Sequence, residues 1–268
     1  MRYVLGIDIG TTSIKGTVVG EDGKIYGSQA SEYTLITLPA GEVEQSIEVY
    51  ERAFRDAIAG AIAAAAVQPA EITCMGLSAT GETEVFLDKN GRSLRNVMAW
   101  MDTRAIQEAE YLTSLFSRDE LLRRTGAPAI RPSYLAARIL WVREHEPEIF
   151  RNTKKIVLIK DYFIHKLFGE YISDDSLMCD VGYWEIPTRD YWDEMLAILG
   201  ISRKQLPEVR EPGEELGTIT AAAAQEYGLD PHMKINLGGM DQACGAIGAG
   251  NIEPGIISES TGSAMVAV

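Results

Sequence analysis

Residues 3–15 read Tyr3-Val4-Leu5-Gly6-Ile7-Asp8-Ile9-Gly10-Thr11-Thr12-Ser13-Ile14-Lys15, and this stretch decides how the rest of the chain is read. Two apolar runs, 3–9 and 14–19, are joined by Gly10-Thr11-Thr12-Ser13, the pattern of a β-hairpin closed by a polar turn. Gly10 permits a tight turn and a close approach of backbone to a ligand. The amides of Gly10, Thr11 and Thr12 then make an anion-binding concavity, with threonine hydroxyls as further donors. Asp8 ends an apolar strand, where a carboxylate is costly unless paired or near a metal. Mg2+ suits it, because that ion takes one or two carboxylates and keeps its waters. An ordinary hairpin turn with Asp8 capping local amides fits the same residues equally well.

Working outward, a third strand is expected near 24–31, after the turn signal Asp22-Gly23. Val49, Phe54, Ile58 and Ile62 recur at helical spacing within 46–67, and Pro69 lies where a helix stop belongs. Strands follow at 72–77 and 84–87 around the turn 78–82, then a short apolar segment at 97–100. Helical patterns occupy 103–116, 133–145, 161–168, 190–199 and 220–226. A strand near 234–237 runs into Gly238-Gly239 and a small-residue helix over 241–250, and strands at 256–257 and 264–268 flank a last polar turn. Strands and helices alternate, so the class is α/β.

The chain has 268 residues, 46% of them hydrophobic, with 25 glycines and 10 prolines, which is ordinary globular composition. Its net charge of −14 repels phosphate backbones, so nucleic acid and anionic membranes are not the expected partners. A local phosphate site built from amides and a metal ion is still allowed. Cys74, Cys179 and Cys244 are odd in number and far apart, which points to small core residues in a reducing compartment. No apolar run approaches the ~20 residues that span a bilayer, and the expected location is cytoplasmic.

Two further turns carry chemistry. Gly238-Gly239-Met240-Asp241-Gln242 lies at a strand-to-helix junction. Asp241 there is either a helix N-cap or a general base that takes a proton from a substrate hydroxyl. The helix dipole is expected to keep its pKa low. Ser260-Thr261-Gly262-Ser263 repeats the first turn's chemistry, a glycine beside hydroxyl donors, and two such hairpins facing each other hold a polyphosphate from both sides.

Together these residues resemble the FGGY carbohydrate kinases of the actin and hexokinase ATPase superfamily, a ribonuclease H-like fold with a mixed central sheet flanked by helices. Val43-Glu44-Gln45, Ala99-Trp100-Met101-Asp102-Thr103-Arg104, Ile139-Leu140-Trp141 with His145-Glu146-Pro147-Glu148-Ile149-Phe150, Lys160-Asp161-Tyr162 and Ser173-Asp174 extend the resemblance along the whole length. Ser46 stands where aspartate is usual, Arg138 where lysine is usual, and Ser260 where a leading glycine is usual. The resemblance implies ATP and Mg2+ as cofactors. Asp8, Gly10, Thr11, Thr12, Lys15, Thr261, Gly262 and Ser263 would contact the nucleotide phosphates, with Asp8 on the metal through water. Asp241 would be the catalytic base, and Gly81, Glu82, Asp102, Ser133, Asp241 and Gln242 would bind substrate. Residues 1–255 would be the sugar-binding domain and 256–268 the start of a nucleotide-binding domain.

A glutamate such as Glu82 accepts from two vicinal hydroxyls, which favours a neutral sugar or polyol over an acid. Gly81 leaves room where glycerol kinases carry arginine, so a pentose, ketose or polyol of four to six carbons, as for a xylulose kinase, is the expected substrate. Exposed apolar residues such as Met265 and Val266 make self-association, as a homodimer or an aggregate, the expected hazard. A non-catalytic sugar-binding module is the alternative, since this domain alone is physically able to bind sugar. A sugar-responsive repressor and a filament ATPase rank lower, because the chain is acidic and carries Glu82, Asp102 and Asp241.

Overall fold

The computed structural model describes residues 1–261 and 265–268, with Ala40 described in its backbone only. The chain opens as an antiparallel meander of β1 (Tyr3–Ile9), β2 (Ser13–Gly20) and β3 (Ile25–Glu32). Short strands β4 (Ile36–Thr37) and β5 (Val43–Gln45) lead into α1 (Ile47–Ala65), which buries Tyr50, Phe54, Ala57, Ile58 and Ala61. The helix lies so near β3 that a Cβ on Gly27 would sit 2.3 Å from Ala65 N. Only glycine allows that approach.

Strands β6 (Ile72–Ala79), β7 (Glu84–Leu87) and β8 (Val97–Met98) precede a helical layer of α2 (Ile106–Ser114), α3 (Arg118–Thr125), α4 (Leu135–His145) and α5 (Pro147–Asn152). Next come β9 (Lys155–Leu158), α6 (Ile159–Phe168), β10 (Ile172–Asp174), β11 (Trp184–Glu185), β12 (Asp190–Tyr191) and α7 (Asp193–Leu199). The chain continues through β13 (Glu208–Arg210), β14 (Glu215–Thr218), α8 (Ala221–Tyr227), β15 (Lys234–Met240) and α9 (Asp241–Gly248) to the hairpin β16 (Glu259–Thr261) and β17 (Met265–Ala267).

A six-stranded mixed sheet of order β14-β15-β6-β1-β2-β3 forms the centre, and β1, β6 and β15 run parallel in it. Alternation along β1 buries Tyr3, Leu5, Ile7 and Ile9 against a core shared with α1, α6 and α8. A second core gathers under α2, α4 and α7 around Phe86, Met98, Tyr134 and Trp192. A five-stranded sheet of order β4-β5-β8-β7-β9 contributes to both.

Several sequence expectations shift. The helix expected over 190–199 begins at Asp193, because Asp190 and Tyr191 pair as a strand with Trp184 and Glu185. Tyr191 is buried there, its hydroxyl donating to Pro207 O at 2.7 Å. The strand expected at 256–257 lies instead at 259–261, and Ile257 is exposed. Helix α3 lies outside the expected helical segments. For α3 the signals were present: Ser117 Oγ accepts from Glu120 N at 3.2 Å, and Gly126 closes the helix in the left-handed conformation. The three cysteines are free and half-buried, less enclosed than core residues.

Candidate active site

The parallel register aligns Asp8 with Ser78 on β6, and Ser78 with Gly239 on β15, so three strand ends meet at one edge. Ligands of open α/β sheets bind outside such carboxyl ends. Asp8 Oδ1 accepts from Ser78 Oγ at 3.1 Å, and exposed Lys15 sits opposite Asp8 on β2. Burial raises the pKa of Asp8 above the ordinary carboxylate value, more than the Ser78 bond and the Lys15 charge lower it.

The hairpin turn next to Asp8 is anchored rather than loose. Gly10 N donates to Ser13 O at 3.0 Å, Tyr33 OH to Gly10 O at 2.5 Å, and Trp100 Nε1 to Thr11 Oγ1 at 2.8 Å. Among the described residues the amides of Thr11 and Thr12 donate to no protein acceptor. Those free donors beside a threonine hydroxyl have the chemistry of a phosphate nest.

β15 ends in a β-bulge: its register with β6 shifts between Asn236 and Gly239. Gly238 has φ +65°, and a Cβ there would fall 1.7 Å from Leu77 O, so no other residue fits. Met240 is the N-cap of α9, and Asp241 is its first helical residue, with Oδ1 accepting from Gln242 N at 2.7 Å. The expected dipole-lowered pKa is overturned. Burial raises the Asp241 pKa, the Gln242 amide opposes this, and the Asp8 charge raises it further. α9 is only eight residues long, so desolvation and a like charge outweigh its dipole. Asp8 and Asp241 thus share one field, and a divalent cation relieves such a pair of carboxylates. Among the described residues there is no group of three or more His, Cys, Asp or Glu placed to hold a metal.

The turn after β6 supplies a second region. Glu82 is half-buried with φ +50°, strained for a residue with a Cβ, and its Oε1 accepts from Ser133 Oγ at 3.3 Å. Its pKa is pushed up to about 7, first by burial and then by the Asp180 carboxylate, against the Arg138, Ser133 and Arg131 contributions. A Cβ built on Gly81 meets nothing within 4 Å, so space is open beside Glu82. Arg138, wholly buried, donates to Ala99 O at 2.8 Å and to Glu82 O, and clamps the strained turn from below.

Asp102 is a correction. It has no exposed surface, and its carboxylate accepts from Val43 N at 2.7 Å and from Arg104 N, Nε and Nη2 at 2.7–3.1 Å. A carboxylate so occupied ties β5 to the following segment and has no face left for substrate. Asp180 was missed. It follows β10 on a 3-10 turn (Asp175–Asp180), and its position beside Glu82 depends on contacts that sequence spacing does not encode.

On the far side, a cavity of ≈ 190 Å³ between α9 and the β16–β17 hairpin is lined by Asp241, Gln242 and Ser260 among others. Thr261 ends β16 and is exposed, while Gly262 and Ser263 lie outside the described residues. No helix among the described residues is long and apolar enough to cross a membrane.

The family model "FGGY family of carbohydrate kinases, N-terminal domain" matches residues 3–248. A xylulose kinase of Bacillus subtilis (strain 168) is 32% identical over 257 residues, covering 95% of this chain and 51% of the relative. A gluconokinase of the same organism is 28% identical over 97% of this chain and 50% of the relative. The crystal structure of a ligand-bound xylulose kinase from Lactobacillus acidophilus superposes with a TM-score of 0.91 at 24% identity, covering 100% of this chain and 54% of that one. The fold is therefore that of the actin and hexokinase-like sugar kinases, and the chain spans about half the length of the curated relatives it matches. With its turns at Asp8, Glu82 and Asp241 carried on this sheet, the chain belongs to the FGGY family of carbohydrate kinases.

Proposed function

We propose that the protein of which this chain is part transfers the γ-phosphoryl group of ATP to a hydroxyl of a neutral sugar or polyol, with xylulose-like ketoses the best fit. The observation that carries this reading is the approach of Asp241 to Asp8 at the aligned ends of β1, β6 and β15. Asp241 accepts the proton of the attacking hydroxyl, and its raised pKa makes it a better base than an ordinary aspartate. Asp8 is the residue that would hold Mg2+, and the ion would supply charge neutralisation on the phosphates. The Thr11 and Thr12 amides and exposed Lys15 bind phosphate oxygens, and Thr261, Gly262 and Ser263 are assigned the remaining phosphate contacts. Gln242 and Ser133 orient the substrate.

Glu82 and Asp180 support a neutral substrate. Two carboxyl groups near enough for the Asp180 charge to act on Glu82 disfavour an aldonate such as gluconate and accept hydrogen bonds from sugar hydroxyls. In this reading residues 1–255 form the sugar-binding domain, and 256–268 begin the nucleotide-binding domain.

Asp241→Asn in the complete protein tests the base. Sugar phosphorylation is expected to fall by about 10³-fold or more while sugar binding, measured by calorimetry, stays within a few-fold. Near-normal kcat sinks the assignment. A panel of D-xylulose, glycerol and gluconate tests the substrate class, and gluconate as the preferred acceptor would overturn it.

A further inference from the structure

The bulge that aims Asp241 breaks the β15–β6 ladder between Asn236 and Gly239, so backbone groups beside the break need partners from elsewhere. Four such groups, on Leu237, Gly238 and Met240, find them. Gly238 N donates to Asn236 Oδ1 at 2.9 Å, and Gly238 O accepts from Gly213 N at 2.8 Å. Leu237 O accepts from Lys160 Nζ at 2.9 Å, and Met240 N donates to Ser176 Oγ at 2.8 Å. The last two contacts belong to one chain of groups. Lys160 Nζ pairs with Asp174 Oδ2, and Asp174 Oδ1 accepts from Ser176 N at 2.9 Å and from Ser176 Oγ. Lys160 and Asp174 have no exposed surface at all.

A fully buried ion pair is expensive to desolvate, and an apolar pair of similar volume often serves stability equally well. This pair does something an apolar pair is unable to do, because its remaining donors and acceptors reach the backbone on both sides of Gly238-Gly239. We infer that Lys160, Asp174 and Ser176 are positioning residues, a buried relay from α6 through β10 that fixes the Gly239–Met240 peptide one residue before Asp241 and so sets where its carboxylate stands. Ser176 is the contact point: its hydroxyl lies next to the peptide that α9 starts from. A Cβ on Gly239 would lie 3.2 Å from that hydroxyl, which shows how closely the two segments meet. The relay rests on the proposed reaction only for its kinetic consequence, and its geometric consequence stands apart from it.

Lys160→Met strips a buried charge from its partner and is expected to disturb folding, so the decisive variant is Ser176→Ala. In the complete protein, kcat for sugar phosphorylation should fall by about tenfold to a hundredfold, because a displacement of about 1 Å at the base is enough for that loss. The sugar KM should stay within about twofold, and Ser176→Thr, which keeps the hydroxyl, should restore kcat. A crystal structure of Ser176→Ala should show the Asp241 carboxylate displaced, with β15 unchanged up to Asn236. An unchanged kcat with a lowered melting temperature would mean a purely structural role and would overturn the inference. So would an Asp241 that has not moved. Should the wild-type protein phosphorylate no sugar, the proposed function fails, and the crystallographic comparison still decides the relay.

Discussion

Glu82 shows how a single residue records a functional compromise. Its left-handed backbone costs about 1–2 kcal/mol, and its carboxyl is held half-buried beside Asp180. Below the ordinary glutamate value of 4.5 the folded and unfolded chains both hold its proton; between about 4.5 and about 7 only the folded chain does. The folded state therefore loses stability as pH rises through that window, and above it the penalty is fully present. Wholly buried Asp161, pushed up to about 7 by desolvation, and Glu84, pushed up to about 8 by desolvation despite Arg138, act in the same direction. Urea unfolding of Glu82→Gln from pH 4.5 to 7 should give a shallower decline than wild type; an identical slope would mean Glu82 ionises freely in the folded protein. The turn itself was legible in the sequence, and so was Glu82. Its partner Asp180 was not, because the two are brought together through neighbouring residues of another segment, Ser133 bonding Glu82 and Tyr134 bonding Asp180.

Among the elements, the pairing of α1 with the β2–β3 hairpin sets the rigidity beneath the phosphate turn. The contact depends on the absence of a side chain at Gly27, where an added Cβ meets Ala65 N at 2.3 Å. Gly27→Val should destabilise the fold by about 2 kcal/mol or more through forced displacement of the helix, read as a lower denaturant midpoint at unchanged m-value. A midpoint equal to wild type would mean the helix shifts without resistance. Both partners were readable: α1 from its period and the hairpin from its alternation. Their separation was not, since nothing local reports how near two elements lie. The same distinction explains the short strands. β10 is three residues long and meets β13 only through a parallel pairing 36 or so positions away, beyond the reach of periodicity.

At the scale of the whole molecule, several large apolar side chains late in the chain are exposed. Ile247, Ile252, Ile257 and Met265 are 62%, 72%, 80% and 76% exposed. Exposed apolar side chains of this size are an association or aggregation liability where they adjoin. In sedimentation, the 268-residue chain should associate as its concentration rises, and the double variant Ile252→Lys, Ile257→Lys should stay monomeric. Association unaffected by that variant would place the sticky surface elsewhere. The same end of the molecule carries the cavity beside Asp241, so self-association is expected to weaken when ligands occupy the site.

The sequence alone determined the α/β class, the meander at the start, the long α1, and the three turns at Asp8, Glu82 and Asp241, because each is written in neighbouring residues as alternation, helical period or turn chemistry. The tertiary structure decided what those turns face and which charges are structural. Asp102 is spent on Val43, 59 positions away, and Ser176 holds Met240, 64 positions away. It also reversed the expected pKa direction of Asp241. A helix dipole is a local property, but desolvation and the Asp8 charge arise only when distant strands are laid side by side.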